Sequence, residues 1–186
     1  VTKASERSDD ECVRSALAGD RAAYSILVRR HQASLHRYLV RMVGSHDEAL
    51  DLTQEAFVRA WQALAQWEPG AAQFRTWLFR IATNAALDVL RRGRTVEFVP
   101  LDDAFEAADS AAGPERLAQG AQELRRLEGA LARLTPEHRE VLLLREIEGM
   151  SYEEIGGVLV LTEGTVKSRL ARARAALIEE TGKDAP

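Results

Sequence analysis

Apolar residues recur at steps of three and four along most of the chain, the period of helices that bury one face. Residues 22–43 place Ala23, Leu27, His31, Leu35, Leu39 and Met42 on one stripe, with Tyr24, Val28 and Tyr38 beside it, and Gly44 stands where a glycine ends a helix. Ser45-His46-Asp47-Glu48 has the form of a capping box, and Leu50, Phe57, Trp61 and Leu64 are the expected apolar stripe of the helix it opens. Between Trp67 and Gln73 the Pro69-Gly70 pair breaks the period and predicts a loop. The following helix turns Phe74, Trp77, Leu78, Ile81 and Ala85 inward. On another face Thr76, Arg80, Asn84 and Asp88 recur every four residues, ahead of Arg91-Arg92-Gly93-Arg94.

The pattern resumes with Leu124, Leu127, Leu131 and Leu134. Thr135-Pro136-Glu137 then predicts an N-cap with proline at the first helical position, and the helix is expected to run through Val141, Leu142, Leu144 and Ile147 to Gly149. Ser151-Tyr152-Glu153-Glu154 is a second capping box, opening a short helix with Ile155, Val158 and Leu159. Gly156-Gly157 inside it costs about 1–2 kcal/mol relative to alanines, which points to close packing there. Thr162 is placed to cap a last helix that turns Val166, Leu170, Ala173 and Leu177 inward. Thr165, Ser168, Arg169 and Arg172 then face outward, with Lys167 at the edge. Two short helices joined by a tight turn, the second one basic, describe a helix-turn-helix whose second helix suits a major groove.

Residues 95–120 lack a sustained apolar period, contain Pro100 and Pro114, and read as a linker. The expected fold is therefore all-α: two small helical domains joined by a flexible acidic linker, the C-terminal one a helix-turn-helix. The expected divisions are an extension over 1–20, a first domain over 21–94, the linker over 95–120 and the second domain over 121–182.

Composition narrows the class. A chain of 186 residues makes one domain or two small ones. Its single cysteine, Cys12, closes no internal disulfide, and His31, His36, His46 and His138 lack metal-ligand spacing, so no metal or cofactor is expected. His31, on an apolar stripe, is expected to be buried and hydrogen-bonded. No apolar run has the length of a membrane span and residues 1–20 lack the layout of a signal peptide, so the reading is cytoplasmic. No nucleophile–base pair or phosphate loop suggests an enzyme.

The net charge of −4 speaks at first against nucleic acid. Its distribution reverses that. Residues 95–120 carry a net −5 from Glu97, Asp102, Asp103, Glu106, Asp109 and Glu115 against Arg116. Residues 47–55 carry −4, while 74–94 carry +4 and 161–178 carry +3. Two basic helices and one acidic one on the same chain suggest two kinds of partner. Asp51 and Glu55, with Gln54 beside them, share one helix face, which by itself is either a solvated first turn or a docking patch. Arg80 and Asn84, backed by arginines, suit DNA: Arg binds phosphates or guanine edges, and Asn carries a donor and an acceptor for a base edge.

Three motifs in order give the chain a family likeness: Asp51-Leu52-Thr53-Gln54-Glu55-Ala56-Phe57 with Ala60-Trp61; Phe74-Arg75-Thr76-Trp77-Leu78-Phe79-Arg80-Ile81-Ala82-Thr83-Asn84; and Leu134-Thr135-Pro136 followed by Tyr152-Glu153-Glu154-Ile155 and Gly164-Thr165-Val166-Lys167-Ser168-Arg169-Leu170. With these the chain resembles an extracytoplasmic-function (ECF) sigma factor, the minimal class of the bacterial primary-sigma superfamily. The resemblance implies a transcription initiation factor. Asp51, Gln54 and Glu55 would dock on the clamp helices of the largest subunit of core RNA polymerase, with the polymerase flap as a further contact. Trp67, Gly70, Arg80, Asn84, Arg91, Arg92 and Arg94 would hold the minus-ten promoter element as a single strand, and Thr165, Lys167, Ser168, Arg169 and Arg172 would meet the minus-thirty-five element as duplex. A cognate anti-sigma factor is implied as a further partner. A duplex-only regulator built on the helix-turn-helix is the rival reading, and it leaves the Asp51/Gln54/Glu55 and Arg80/Asn84 faces without a purpose.

Overall fold

The computed structural model describes residues 7–67, 73–93 and 114–183, and every regular element among them is helical. The first unit contains α1 (Asp9–Leu17), α2 (Arg21–Val43), α3 (His46–Gln62), a 3-10 turn (Leu64–Gln66) and α4 (Phe74–Arg91). The second contains α5 (Pro114–Arg133), α6 (Pro136–Leu142) running into a π-helical turn (Leu143–Ile147), α7 (Tyr152–Leu159) and α8 (Glu163–Gly182).

The caps expected from sequence stop and start these helices. Gly44 ends α2 in the left-handed conformation, φ 73°, and its N–H reaches the Val40 carbonyl. Ser45, Thr135 and Thr162 each accept from a backbone N–H of the helix they precede, and Ser151 and Glu154 form a complete capping box. Buried Tyr38 of α2 and Thr83 of α4 share a hydrogen bond of 2.8 Å that satisfies both hydroxyls inside the first core.

Four expectations are corrected. The N-terminal extension is partly structural: α1 begins at a capping box of Ser8 and Glu11 and buries Cys12, Val13 and Ala16. It also carries Asp9, which binds Arg30 and accepts at 2.7 Å from His31 Nε2, so the buried histidine is partnered as expected. Burial opposes ionisation of Asp9, but His31 and Arg30 hold its pKa below the ordinary carboxylate value. The expected linker ends early, because α5 starts at Pro114, a residue well suited to a first helical position. In α3 the buried face is Ala49, Leu52, Thr53, Ala56, Phe57 and Ala60, while Leu50 stays 50% and Val58 54% exposed. Small alanines let α3 sit close to α2 and α4, and that turns larger side chains outward. Lastly, the helix after Pro136 does not run to Gly149 as one α-helix. It widens at 143–147, where the Glu148 N–H bonds to the Leu143 carbonyl, and Ile147 swings out to solvent.

The two units meet through α2 and α4 on one side and α6, the π turn and α7 on the other. Arg139 of α6 is buried and donates to the carbonyls of Leu131, Ala132 and Leu134 in its own unit and of Met42 at the end of α2 (2.6 Å). Arg75 of α4 donates at 2.8 Å to both the carboxylate and the backbone carbonyl of Glu148. A methyl group added at Gly157 of α7 would stand 3.0 Å from the Thr76 methyl of α4.

Gly156 has a tighter constraint. A Cβ there would lie 2.7 Å from the Leu161 carbonyl oxygen, in the turn of the helix-turn-helix. Gly156→Ala is therefore expected to lose about 1–3 kcal/mol of stability in urea denaturation, the cost of overpacking, despite a helix-propensity gain of about 1 kcal/mol. Gly164→Ala, with nothing within 4 Å of its Cβ, is the control that should not lose stability. Equal stability of the two variants would refute the packing explanation.

Candidate functional site

Three surfaces carry the sequence-predicted residues. On α3, Asp51, Gln54 and Glu55 are all exposed. Glu55 pairs with Arg59 one turn on, at 2.6 Å, a contact between two solvated side chains. Leu50 and Val58 flank this acidic face, so it offers charge and apolar area together; of the two, Leu50 is the one expected on the inward stripe.

On α4, Asn84 is exposed and Arg80 partly so, and neither has a hydrogen bond or ion pair among the described residues. Arg91 and Arg92 are exposed at the end of the helix, Arg91 paired loosely with Asp88 at 3.3 Å. The structure thus brings Arg80, Asn84, Arg91 and Arg92 onto one helix. Trp67 is placed differently: it is 5% exposed and belongs to the core of the first unit, which leaves no ring face for a base in this arrangement. Gly70 and Arg94 lie outside the described residues, as do Asp102, Asp103, Glu106 and Asp109 of the acidic stretch.

On α8, Val166, Leu170 and Ala173 are buried and fix the helix on its unit. Lys167, Ser168 and Arg172 are exposed and Thr165 is partly so. Thr165 shares a hydrogen bond with the Thr162 cap (3.0 Å), Ser168 donates back to the Thr165 carbonyl, and Lys167 stands 5.4 Å above the Tyr152 ring. Arg169 departs from its neighbours, donating at 3.0 Å to Glu140 of α6. Glu140, which the sequence pattern does not single out, is only 3% exposed. No period marks it: it closes the polar stretch Glu137-His138-Arg139-Glu140 just before the apolar run Val141–Leu144, and nothing local sets it apart from the charged residues beside it.

Burial pushes the Glu140 carboxyl up to about 7; Arg169 and Arg91 pull it back only in part, and Glu137 adds to the rise. A carboxyl that binds its proton more tightly in the folded state contributes stability below its unfolded value of 4.5 and loses it as the pH climbs to about 7. Wild-type stability relative to Glu140→Gln is thus expected to fall across that window by up to about 1.4 kcal/mol per pH unit, and to level off above it. Urea titrations at several pH values read this directly; parallel curves throughout would exclude titration of Glu140.

Among the described residues no group of three or more His, Cys, Asp or Glu side chains is arranged to hold a metal ion, and no helix is long and apolar enough to cross a membrane. Fold and surfaces together describe a two-unit helical protein with a helix-turn-helix in its C-terminal unit and an exposed acidic face on α3 of its N-terminal one. Residues 27–95 match the family described as Sigma-70 region 2, and residues 124–177 match Sigma-70, region 4. The chain is 40% identical over 171 residues to the ECF RNA polymerase sigma factor SigE of Mycolicibacterium smegmatis, covering 89% of this chain and 65% of that one. It is 37% identical over 177 residues to the ECF sigma factor SigM of Mycobacterium tuberculosis, covering 95% and 86%. Among solved structures, CnrH in complex with the cytosolic domain of CnrY superposes with a TM-score of 0.72 at 31% identity, over 95% of this chain and 99% of that one. The sigma factor RpoE of Bartonella quintana, solved with the anti-sigma factor NepR, shares the fold (TM-score 0.69, 24% identity, 87% and 98% covered). The chain belongs to the sigma-70 family, in its ECF branch, and is a sigma factor of transcription initiation.

Proposed function

We propose that this sigma factor docks on core RNA polymerase through Asp51, Gln54 and Glu55, holds the melted minus-ten strand along Arg80, Asn84, Arg91 and Arg92, and meets the minus-thirty-five duplex through Thr165, Lys167, Ser168 and Arg172. The observation that carries this reading is the separation of three faces on one chain: an acidic face with apolar flanks on the region 2 segment, a basic face with an open asparagine on the same segment, and a basic helix on the region 4 segment. A pocket that reads the Watson–Crick edge of an unstacked base stabilises the open strand as it recognises it, so recognition and melting become one event. Phosphate contacts from the arginines supply affinity without sequence information.

The reading includes control by an anti-sigma protein, supported by the CnrH likeness, since CnrH was solved with a second protein bound. It also places the working protein where the polymerase is, in the cell interior. The working units are 21–94 and 121–182, extended by α1 and by the start of α5.

A run-off assay with purified full-length chain and core polymerase, on a template selected from a genomic library by the holoenzyme, tests it. The expected result is a discrete transcript absent with core alone. No promoter-dependent transcript from an active core would sink the reading.

A further inference from the structure

We infer that Glu140, outside the recognition helix, is a positioning residue for minus-thirty-five recognition: it seats Arg169 against α6, so that Arg169 sets the pose of α8 and leaves DNA contact to Lys167, Ser168 and Arg172. The inference rests on the proposed role of α8 as the duplex-reading helix and divides its basic residues into two roles.

Three observations carry it. Arg169 lies one turn from Val166 and one turn from Ala173, both buried, so it borders the seam along which α8 is fixed rather than its outer face. Its side chain is 23% exposed against 57% for Lys167, and its guanidinium is directed inward to a carboxylate that is itself almost wholly buried. Farther along α8, Arg174 also reaches a carboxylate, Glu146 in the π turn at 2.6 Å, but both of those side chains are about half exposed. The Arg174–Glu146 contact is thus a solvated pair of little weight, whereas Arg169–Glu140 ties α8 to α6 as a buried strut. A guanidinium held in this way is spent inside the protein. A buried carboxylate facing an empty site is unfavourable, so the pair holds α8 in one register more strictly than apolar packing alone.

The chemistry separates a strut from a DNA contact. A side chain that neutralises a phosphate releases counterions, and removing it flattens the dependence of log affinity on log salt by about one. A strut has no such signature. It also obeys the logic of buried pairs: deleting one partner is damaging, whereas replacing both by apolar side chains of similar volume restores much of what was lost.

The test uses full-length variants assembled with core polymerase on a promoter duplex selected from a random pool by the wild-type holoenzyme. Affinity is measured from low to high salt, and again with the minus-thirty-five segment scrambled. Lys167→Gln and Arg172→Gln are expected to flatten the salt slope by about one each. Arg169→Met and Glu140→Leu should each lower affinity for the intact promoter about tenfold at unchanged slope and shrink the ratio of intact to scrambled affinity. The double variant Glu140→Leu/Arg169→Met should recover both quantities to within about threefold of wild type. Thermal melting of each variant separates loss of fold from loss of pose, and the double variant keeps the test decisive if Glu140→Leu alone fails to fold. If Arg169→Met flattens the slope as Lys167→Gln does, and the double variant stays as impaired as Arg169→Met, the inference is overturned while the α8 reading stands. If Lys167→Gln and Arg172→Gln change neither slope nor ratio, the α8 reading falls and the inference with it.

Discussion

Reversing Asp51 and Glu55 together to lysine is expected to lower affinity for core RNA polymerase about a thousandfold, with little change in folding stability. Both side chains are exposed on α3, and neither contributes to the core of the first unit. The pair they disturb, Glu55 with Arg59, is an exposed i,i+4 contact of the kind worth about 0.3–0.5 kcal/mol. A charge at a docked interface is different, since the partner's cation is desolvated with it. Turning attraction into repulsion costs about 2 kcal/mol or more for each such residue, and two of them reach the thousandfold scale. Leu50 and Val58, beside the acidic pair, should contribute apolar area to the same contact. Competition with a labelled sigma factor for core polymerase measures the loss, and a melting curve shows that the fold survives. Unchanged competition would remove α3 from the docking surface.

Arg139→Ala should be the most damaging single substitution for stability, by about 3–5 kcal/mol. The guanidinium is buried, its pKa is lowered by that burial, and its contacts go to four carbonyl oxygens. Removing it leaves carbonyls at the ends of α5 and α2 without a donor, in a place where water does not readily substitute. Because one of the four is Met42, the substitution should also weaken the contact between the units. Urea denaturation gives the first effect, and limited proteolysis of the native state the second. A loss below about 1 kcal/mol, the net worth of an ordinary hydrogen bond, would mean that water replaces the guanidinium.

Much of this fold is legible in the sequence because its helices announce their ends. Gly44, Thr135-Pro136, the Ser151/Glu154 box and Thr162 all cap where local chemistry places them. The expectations that failed did so for physical reasons. The nine residues of α1 are too few to show a period, and only the Ser8-to-Glu11 box hints at it. In α3 Phe57 is buried as its stripe predicts, but much of the remaining contact rests on alanines, which barely register in a hydrophobic pattern, while Leu50 and Trp61, which do register, are turned toward a surface. Trp67 is given to the minus-ten strand by the family resemblance alone, and no local pattern marks that its indole is buried in the core of the first unit. The charged faces of α3, α4 and α8 are readable because charge segregates along the chain. The pairs that organise them are not: Arg169 with Glu140, Arg75 with Glu148 and Arg139 with Met42 are 29, 73 and 97 residues apart. No local pattern encodes such partners.

The π-helical turn at 143–147 has a consequence for phase. Its Glu148-to-Leu143 hydrogen bond spans five residues instead of four, which amounts to one residue inserted into a helix and a rotation of about 100° for the residues beyond it. Glu140 lies before the insertion and faces α8, Glu146 lies within it and reaches α8 at a second point, and Glu148 lies after it and reaches back to α4. A plain α-helix of the same composition would aim these carboxylates elsewhere. Removing one residue from 143–147 is therefore a change of heading more than of content: it would swing Glu148 away from Arg75 and carry buried Met150 out of the core, while leaving every neighbouring helix its own sequence.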